Sequence, residues 1–176
     1  MFKDLFTRMQ YEPSVLMFGN KYRTLDTDVL DYSWNAIVTT NCELKLSAIL
    51  NNEKRIVRDL FEKRDMQANL MDRKNLHVIR LFGEKEPEGN IDELESEDIM
   101  DKAVSMLSRV AEIIKRNGII LIEDFEDPLF SHKELRKSFV ELYENQRHIY
   151  IFNCKNKDKY LLSLESKGIA VLTERV

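Results

Sequence analysis

Cysteine is scarce in this chain: there are two in 176 residues, Cys42 and Cys154, with no CxxC pair and no histidine at ligand spacing. That argues against a disulfide scaffold and against a structural zinc, so no metal is expected, and free thiols fit a reducing interior. Long apolar runs are absent. No stretch approaches the roughly 20 residues of a membrane span, and the start, Met1-Phe2-Lys3-Asp4-Leu5, lacks an apolar run of signal-peptide length. The expected compartment is the cytoplasm, with no membrane partner. Glycine and proline are also few, five and three, which leaves little linker-like material. Neither GxGxxG nor GxxxxGK[ST] occurs, so the usual glycine-rich phosphate cradles are missing. Basic excess is lacking as well: 27 Lys and Arg oppose 31 Asp and Glu, for a net charge of −4. No nucleic-acid partner is expected from such a balance.

What is present suits one globular domain. The chain is 43% hydrophobic and 33% charged, long enough for one sizeable core and short for two. Being short and beginning at Met1, it is compatible with the N-terminal piece of a longer protein. Acidity is concentrated between Glu84 and Asp101, where nine carboxylates face a single Lys85. Such a run reads as a solvated loop rather than a metal site or a docking tail.

Short apolar runs alternate with helical patterns. Strands are expected at Ser14–Phe18, residues 35–40, residues 76–81, Ile119–Glu123, residues 148–153 and residues 168–173, with a further short one at residues 55–60. These runs are nearly continuous in Val, Ile and Leu, the mark of parallel strands covered by helices on both faces. Between them, Ser96 caps a helix whose apolar residues recur at 3/4 spacing to Ile114. Lys115-Arg116-Asn117-Gly118 should end it, with Gly118 supplying a left-handed residue after the last turn. Ser131 and Glu134 form a second capping box that opens a helix to about Glu144. Weaker helical patterns cover residues 2–10, 22–32, 43–50 and 157–166, and residues 62–71 read as helix or loop. Strand, helix, strand repeated in this way predicts an α/β fold: a doubly wound, mostly parallel sheet with helices on both faces, a Rossmann-like three-layer sandwich.

Candidate chemistry gathers where strands end. Trp34-Asn35-Ala36-Ile37-Val38-Thr39-Thr40-Asn41-Cys42-Glu43 runs from an apolar strand into a polar edge and then into a helical pattern. Open α/β sheets bind ligands at such an edge, beside a helix N-terminus. Thr40 and Glu43 also fit a plain capping box, which leaves Asn41 available to a ligand. Phe18-Gly19-Asn20-Lys21 offers backbone amides and an ammonium after the first strand, or an ordinary turn. Glu123 and Asp124 end their strand on the same expected edge, as ribose or metal ligands or as loop charges. His77 is expected near the start of its strand and reads as structural; Trp34, Phe82, Phe125 and Phe152 read as packing residues.

Taken together these pieces resemble a family. Trp34 to Asn41 is similar to the strand and "TTN" signature of sirtuin-like NAD-binding domains, especially divergent bacterial versions fused to defence or signalling ATPases. Ser14 to Gly19 resembles the first Rossmann strand and its glycine, Val78 to Gly83 the strand that ends in His-Gly, and Gly118 to Phe125 the late strand with an acidic end. The resemblance spans about residues 14–153. It implies NAD or ADP-ribose as ligand, held by Gly19, Asn20, Thr40, Asn41, Glu43, Gly83 and Glu123. As partner it implies a downstream ATPase domain or another protein, in anti-phage defence or signalling.

The departures bear on activity. Active members resemble one another in a Gly-Ala-Gly turn, an Asn-x-Asp pair and a histidine base before the strand-end glycine. Here the turn is Phe18-Gly19-Asn20, Glu43 replaces the Asp, and Phe82 stands at the histidine's place, where no proton can be accepted. Asn41 alone matches the catalytic pattern. The expectation is a nucleotide-sensing regulatory domain with impaired catalysis. A protein-interaction scaffold on the same fold, and an NAD glycohydrolase whose base lies elsewhere, are the other readings.

Overall fold

The computed structural model describes residues 2–18, 30, 32–40, 55–83, 97–114, 118–123, 137–138, 148–152, 166 and 170–171. Seven strands form one sheet: β1 (Ser14–Phe18), β2 (Ala36–Thr39), β3 (Ile56–Leu60), β4 (Asn75–Arg80), β5 (Ile119–Glu123), β6 (His148–Phe152) and β7 (Ala170–Val171). Their spatial order is β3-β4-β2-β1-β5-β6-β7, and all six neighbouring pairs are parallel. The doubly wound α/β architecture expected from the apolar runs is the one observed. Two α-helices are described, α1 (Phe2–Met9) and α2 (Glu97–Ile114), together with a 3₁₀ turn at Lys63–Gln67. The expected helix at 43–50, and most of those at 22–32, 131–144 and 157–166, lie outside the described residues, as do the Ser96 cap and most of the acidic run; residues 137 and 138 are helical.

Alternation along the strands splits the core into two layers. Val15 and Met17 of β1, Ala36 and Val38 of β2, Ile79 of β4, Ile120 and Ile122 of β5, and Ile149 and Ile151 of β6 pack against α2. From α2 itself come Met100, Ala103, Met106, Leu107, Val110 and Ile114. The intervening residues, Leu16, Phe18, Ile37, Leu76, Val78, Ile119 and Leu121, pack with Leu5 and Met9 of α1 and with Trp34, which is fully buried. α1 and α2 therefore cover opposite faces. Burial of this kind contributes about 1.5–3 kcal/mol for each large apolar side chain, which explains why strands sealed on both sides need no alternation of polar residues.

Connection handedness agrees with the layers. Right-handed crossovers place a connection on one face when the chain steps one way across the sheet and on the other when it steps back. Leu30, on the β1-to-β2 connection, packs on the α1 face, whereas Met66 and Leu70, on the β3-to-β4 connection, pack on the α2 face. Strand order reverses between β1 and β5. β1 and β2 are central, as a Rossmann-type order requires, but the switch point lies between the ends of β1 and β5 rather than between those of β1 and β2, because β2, β4 and β3 are all laid down on one side of β1.

Gly118 is a second correction. It does not adopt a positive φ; Gly83, at φ 95°, is the glycine that does among the described residues. What demands glycine at 118 is close approach: a Cβ there would lie 1.7 Å from Ile114 Cγ2 and 2.7 Å from the Ile114 carbonyl oxygen. The end of α2 is thus pressed against the start of β5. Gly118→Ala should destabilise the fold by about 1–3 kcal/mol, the usual cost of overpacking, and urea unfolding will measure it. Because the carbonyl contact survives truncation of Ile114, a Gly118→Ala, Ile114→Ala double variant should show no full rescue.

Candidate functional site at the carboxyl edge of the sheet

Parallel register brings the strand ends level. Phe18 is aligned with Thr39, Thr39 with Arg80, Met17 with Ile122, and Glu123 with Phe152. Thr40, Gly83 and Glu123 consequently belong to one edge, although they come from three separate segments. From β4 to β5 that edge spans three strand spacings, about 14 Å. Gly19, Asn20, Asn41 and Glu43 follow β1 and β2 in the chain but lie outside the described residues, as does Asp124. Of Glu123 the structure describes the backbone, as the last residue of β5.

On the α1 face the edge carries a row of side chains from neighbouring strands: Phe18, Thr39 and Arg80. Thr39 and Thr40 are buried, as is Arg80, which is 4% exposed. Arg80 Nε donates to Asp59 Oδ1 at 2.8 Å, an ion pair that ties the edge strand β3 to β4. A buried charge is costly unless it is paired and hydrogen-bonded, and Asp59 meets part of that demand. The row therefore sets one threonine, Thr39, level with a buried cation that is paired with Asp59, at the end of a parallel sheet. Its chemistry is that of recognising hydroxyls and anions, not of proton abstraction. Sequence reasoning passed over Arg80. The signal was there: a cation inside His77-Val78-Ile79-Arg80-Leu81, a run otherwise fit for burial on both faces, must lie at an edge or against a carboxylate.

On the α2 face, Leu81 is buried and Phe82 packs half-buried against the same core as α2. Gly83 is buried and turns the chain back, its N–H donating to the Arg80 carbonyl at 3.2 Å. Beside it, Glu62, Lys63, Arg64, Asp98, Ile99 and Lys102 line a cleft of about 630 Å³. Among the described residues no group of three or more His, Cys, Asp and Glu side chains is placed to hold a metal ion. No described helix is long and apolar enough to cross a membrane.

His77 lies in the other half of the sheet. It is the third residue of β4, level with Ala36 of β2 and Arg58 of β3, and is 3% exposed. Its Nδ1 has no hydrogen-bond partner. Burial pushes its pKa below the ordinary histidine value; Asp72 pulls against it, and Arg58 and Arg55, each weaker than Asp72, push the same way as burial. This places His77 in the core of β4 and not among the ligand-facing groups, in line with a structural role.

Compared with protein-family models, curated proteins and solved structures, the chain matches none of them.

The lowered pKa of His77 has a consequence for stability. Below the ordinary histidine pKa of about 6.5 the unfolded chain takes up a proton that the folded one refuses, so stability falls as the pH drops through that value and levels off only below the folded pKa. Urea unfolding at pH 7.5, 6.5 and 5.5 should show this decline. In a His77→Leu variant that part of the pH dependence should vanish; an unchanged slope would assign it to other groups.

Proposed function

We propose that the chain is a sirtuin-like nucleotide-binding domain that senses NAD or ADP-ribose at the carboxyl edge of its sheet, with a regulatory rather than a catalytic role. The observation that carries this reading is the all-parallel sheet whose order reverses at β1 and β5. In open α/β sheets the crevice outside the strand ends at such a reversal is where nucleotides bind. On this reading the pyrophosphate rests near Gly19 and Asn20, after β1. Thr40, Asn41 and Glu43 meet a ribose, with Glu123 and Gly83 closing the two sides.

The impaired catalysis follows from one side chain. Phe82 occupies the place of the family's histidine base, and its ring packs against the apolar core beside α2. Loss of a general base typically removes about 10²–10⁴ in rate. A domain that binds NAD without turning it over reports on the nucleotide to whatever protein or ATPase domain it is joined to.

A titration followed by thermal unfolding tests the proposal. Ligand that binds only the native state adds RT ln(1 + [L]/Kd), about 2.7 kcal/mol at a hundredfold excess over Kd. ADP-ribose or NAD should raise the melting temperature. Asn41→Ala should abolish most of that rise while leaving the unliganded midpoint within a few degrees. Incubation with NAD should release nicotinamide far below ordinary enzymatic rates. Failure of both nucleotides to stabilise the chain at millimolar concentration would favour the interaction scaffold. Brisk nicotinamide release abolished by Asn41→Ala would establish a live glycohydrolase instead.

A further inference from the structure

We propose that the cleft between the β3-to-β4 connection and the first turns of α2 is an anion site that takes a phosphate group, with Lys102 as its central ligand. The inference is independent of the nucleotide reading above, since this cleft opens on the α2 face near the end of β4, about 12 Å from the switch point by strand spacing.

Lys102 is the sixth residue of α2, and its side chain is only 16% exposed. Its ammonium is held under the Gly83 turn: a Cβ added to Gly83 would sit 3.1 Å from Nζ. An ammonium has three donors to satisfy. Among the described residues its one carboxylate partner, Glu62 Oε1, lies at 3.6 Å, beyond hydrogen-bond distance, and belongs to a side chain that is 49% exposed and able to turn to water. With one loose counter-ion among the described residues, this largely dehydrated cation is poorly satisfied by them, and an anion entering the cleft improves its position.

The rest of the lining fits the same ligand. Lys63 and Arg64 present two further cations from the 3₁₀ turn. Arg64 is 85% exposed and touches Asp65 only at 4.0 Å, so its guanidinium is free to reorient. Among the described residues of the lining, three cations face two carboxylates, Glu62 and Asp98. The cations come from the helix and from the turn, and a group with several acceptor oxygens offers more than one of them a partner. Asp98 and Ile99 belong to the first turn of α2, where backbone N–H groups have no intrahelical acceptor. At about 630 Å³ the cleft has room for a phosphate carried on a larger molecule.

Calorimetric titration of the purified chain with inorganic phosphate, at constant ionic strength in chloride, tests the site. The parent protein should show saturable binding, weakened about tenfold or more in Lys102→Met. A Lys63→Ser, Arg64→Ser double variant, which alters only exposed side chains, should also bind more weakly, and it serves as the arm least able to disturb folding. Glu62→Gln should bind phosphate more tightly, because it removes an anion and frees the ammonium. If the Lys102–Glu62 contact were merely a tether between α2 and the turn, Glu62→Gln would lower stability and gain no phosphate affinity, which would overturn the proposal. So would the absence of saturable binding in both the parent and Glu62→Gln. An ADP-ribose arm keeps the two readings apart: phosphate binding that depends on Lys102 without any ADP-ribose binding sustains this site and rejects the nucleotide reading. ADP-ribose binding sensitive to Asn41→Ala, with no phosphate effect of Lys102→Met, does the reverse.

Discussion

Backbone hydrogen bonding in parallel register, sealed on both faces by apolar side chains, is the constraint on which the rest of the structure depends. Once Val15, Leu16, Met17 and Phe18 are buried on alternate sides, β1 must lie in the middle of the sheet, and every connection must run over one face or the other. Parallel strands also share a direction. Their carboxyl ends are thereby gathered along one edge, and residues far apart in the chain, Thr40, Gly83 and Glu123, become neighbours along it without any contact having been selected between them. The same seal makes Arg80 conspicuous, because a guanidinium 4% exposed needs a partner such as Asp59 in a way that a surface arginine does not.

The two halves of that edge differ in character. Toward α1 it is a row of Phe18, Thr39 and Arg80, tightly packed and anchored through Asp59 to the outer strand. Toward α2 it opens into a cleft whose charged side chains are only loosely paired, Lys102 with Glu62 and Arg64 with Asp65. Gly83 stands between them, its positive φ turning the chain away from β4 and leaving room for the Lys102 ammonium. Rigid, buried polar groups specify a ligand's orientation, whereas exposed flexible cations contribute attraction and accommodate variety.

Much of this architecture was legible in the residues alone. β1 and β5 have the bounds that their runs suggest because Pro13 and Gly19 bracket one, and Gly118 and Asp124 the other, so that apolar content ends abruptly. The short strand suggested at residues 55–60 is present from Ile56, although it alternates and lies at the sheet edge. The reading of Gly118 failed for a physical reason: a glycine after a helix has two causes, left-handed backbone and steric crowding, and sequence alone does not distinguish them. The location of the switch point was missed because it depends on β3 and β4 both adding beyond β2. Arg80 and Lys102 escaped notice for a similar reason. Their significance lies in partners 21 and 40 residues away, Asp59 and Glu62, which only the folded sheet brings near.

The central claim is that ligand binding belongs to the carboxyl edge, at the reversal between β1 and β5. Amide chemical-shift mapping of the isotopically labelled chain during an ADP-ribose titration tests it most directly. The account predicts saturable shifts at Phe18, Thr39, Thr40 and Glu123, with Ser14, Asn35, Ile56, Asn75 and His148 at the opposite edge unmoved. Shifts concentrated on those amino-edge residues, or none at all at saturating nucleotide, would contradict it.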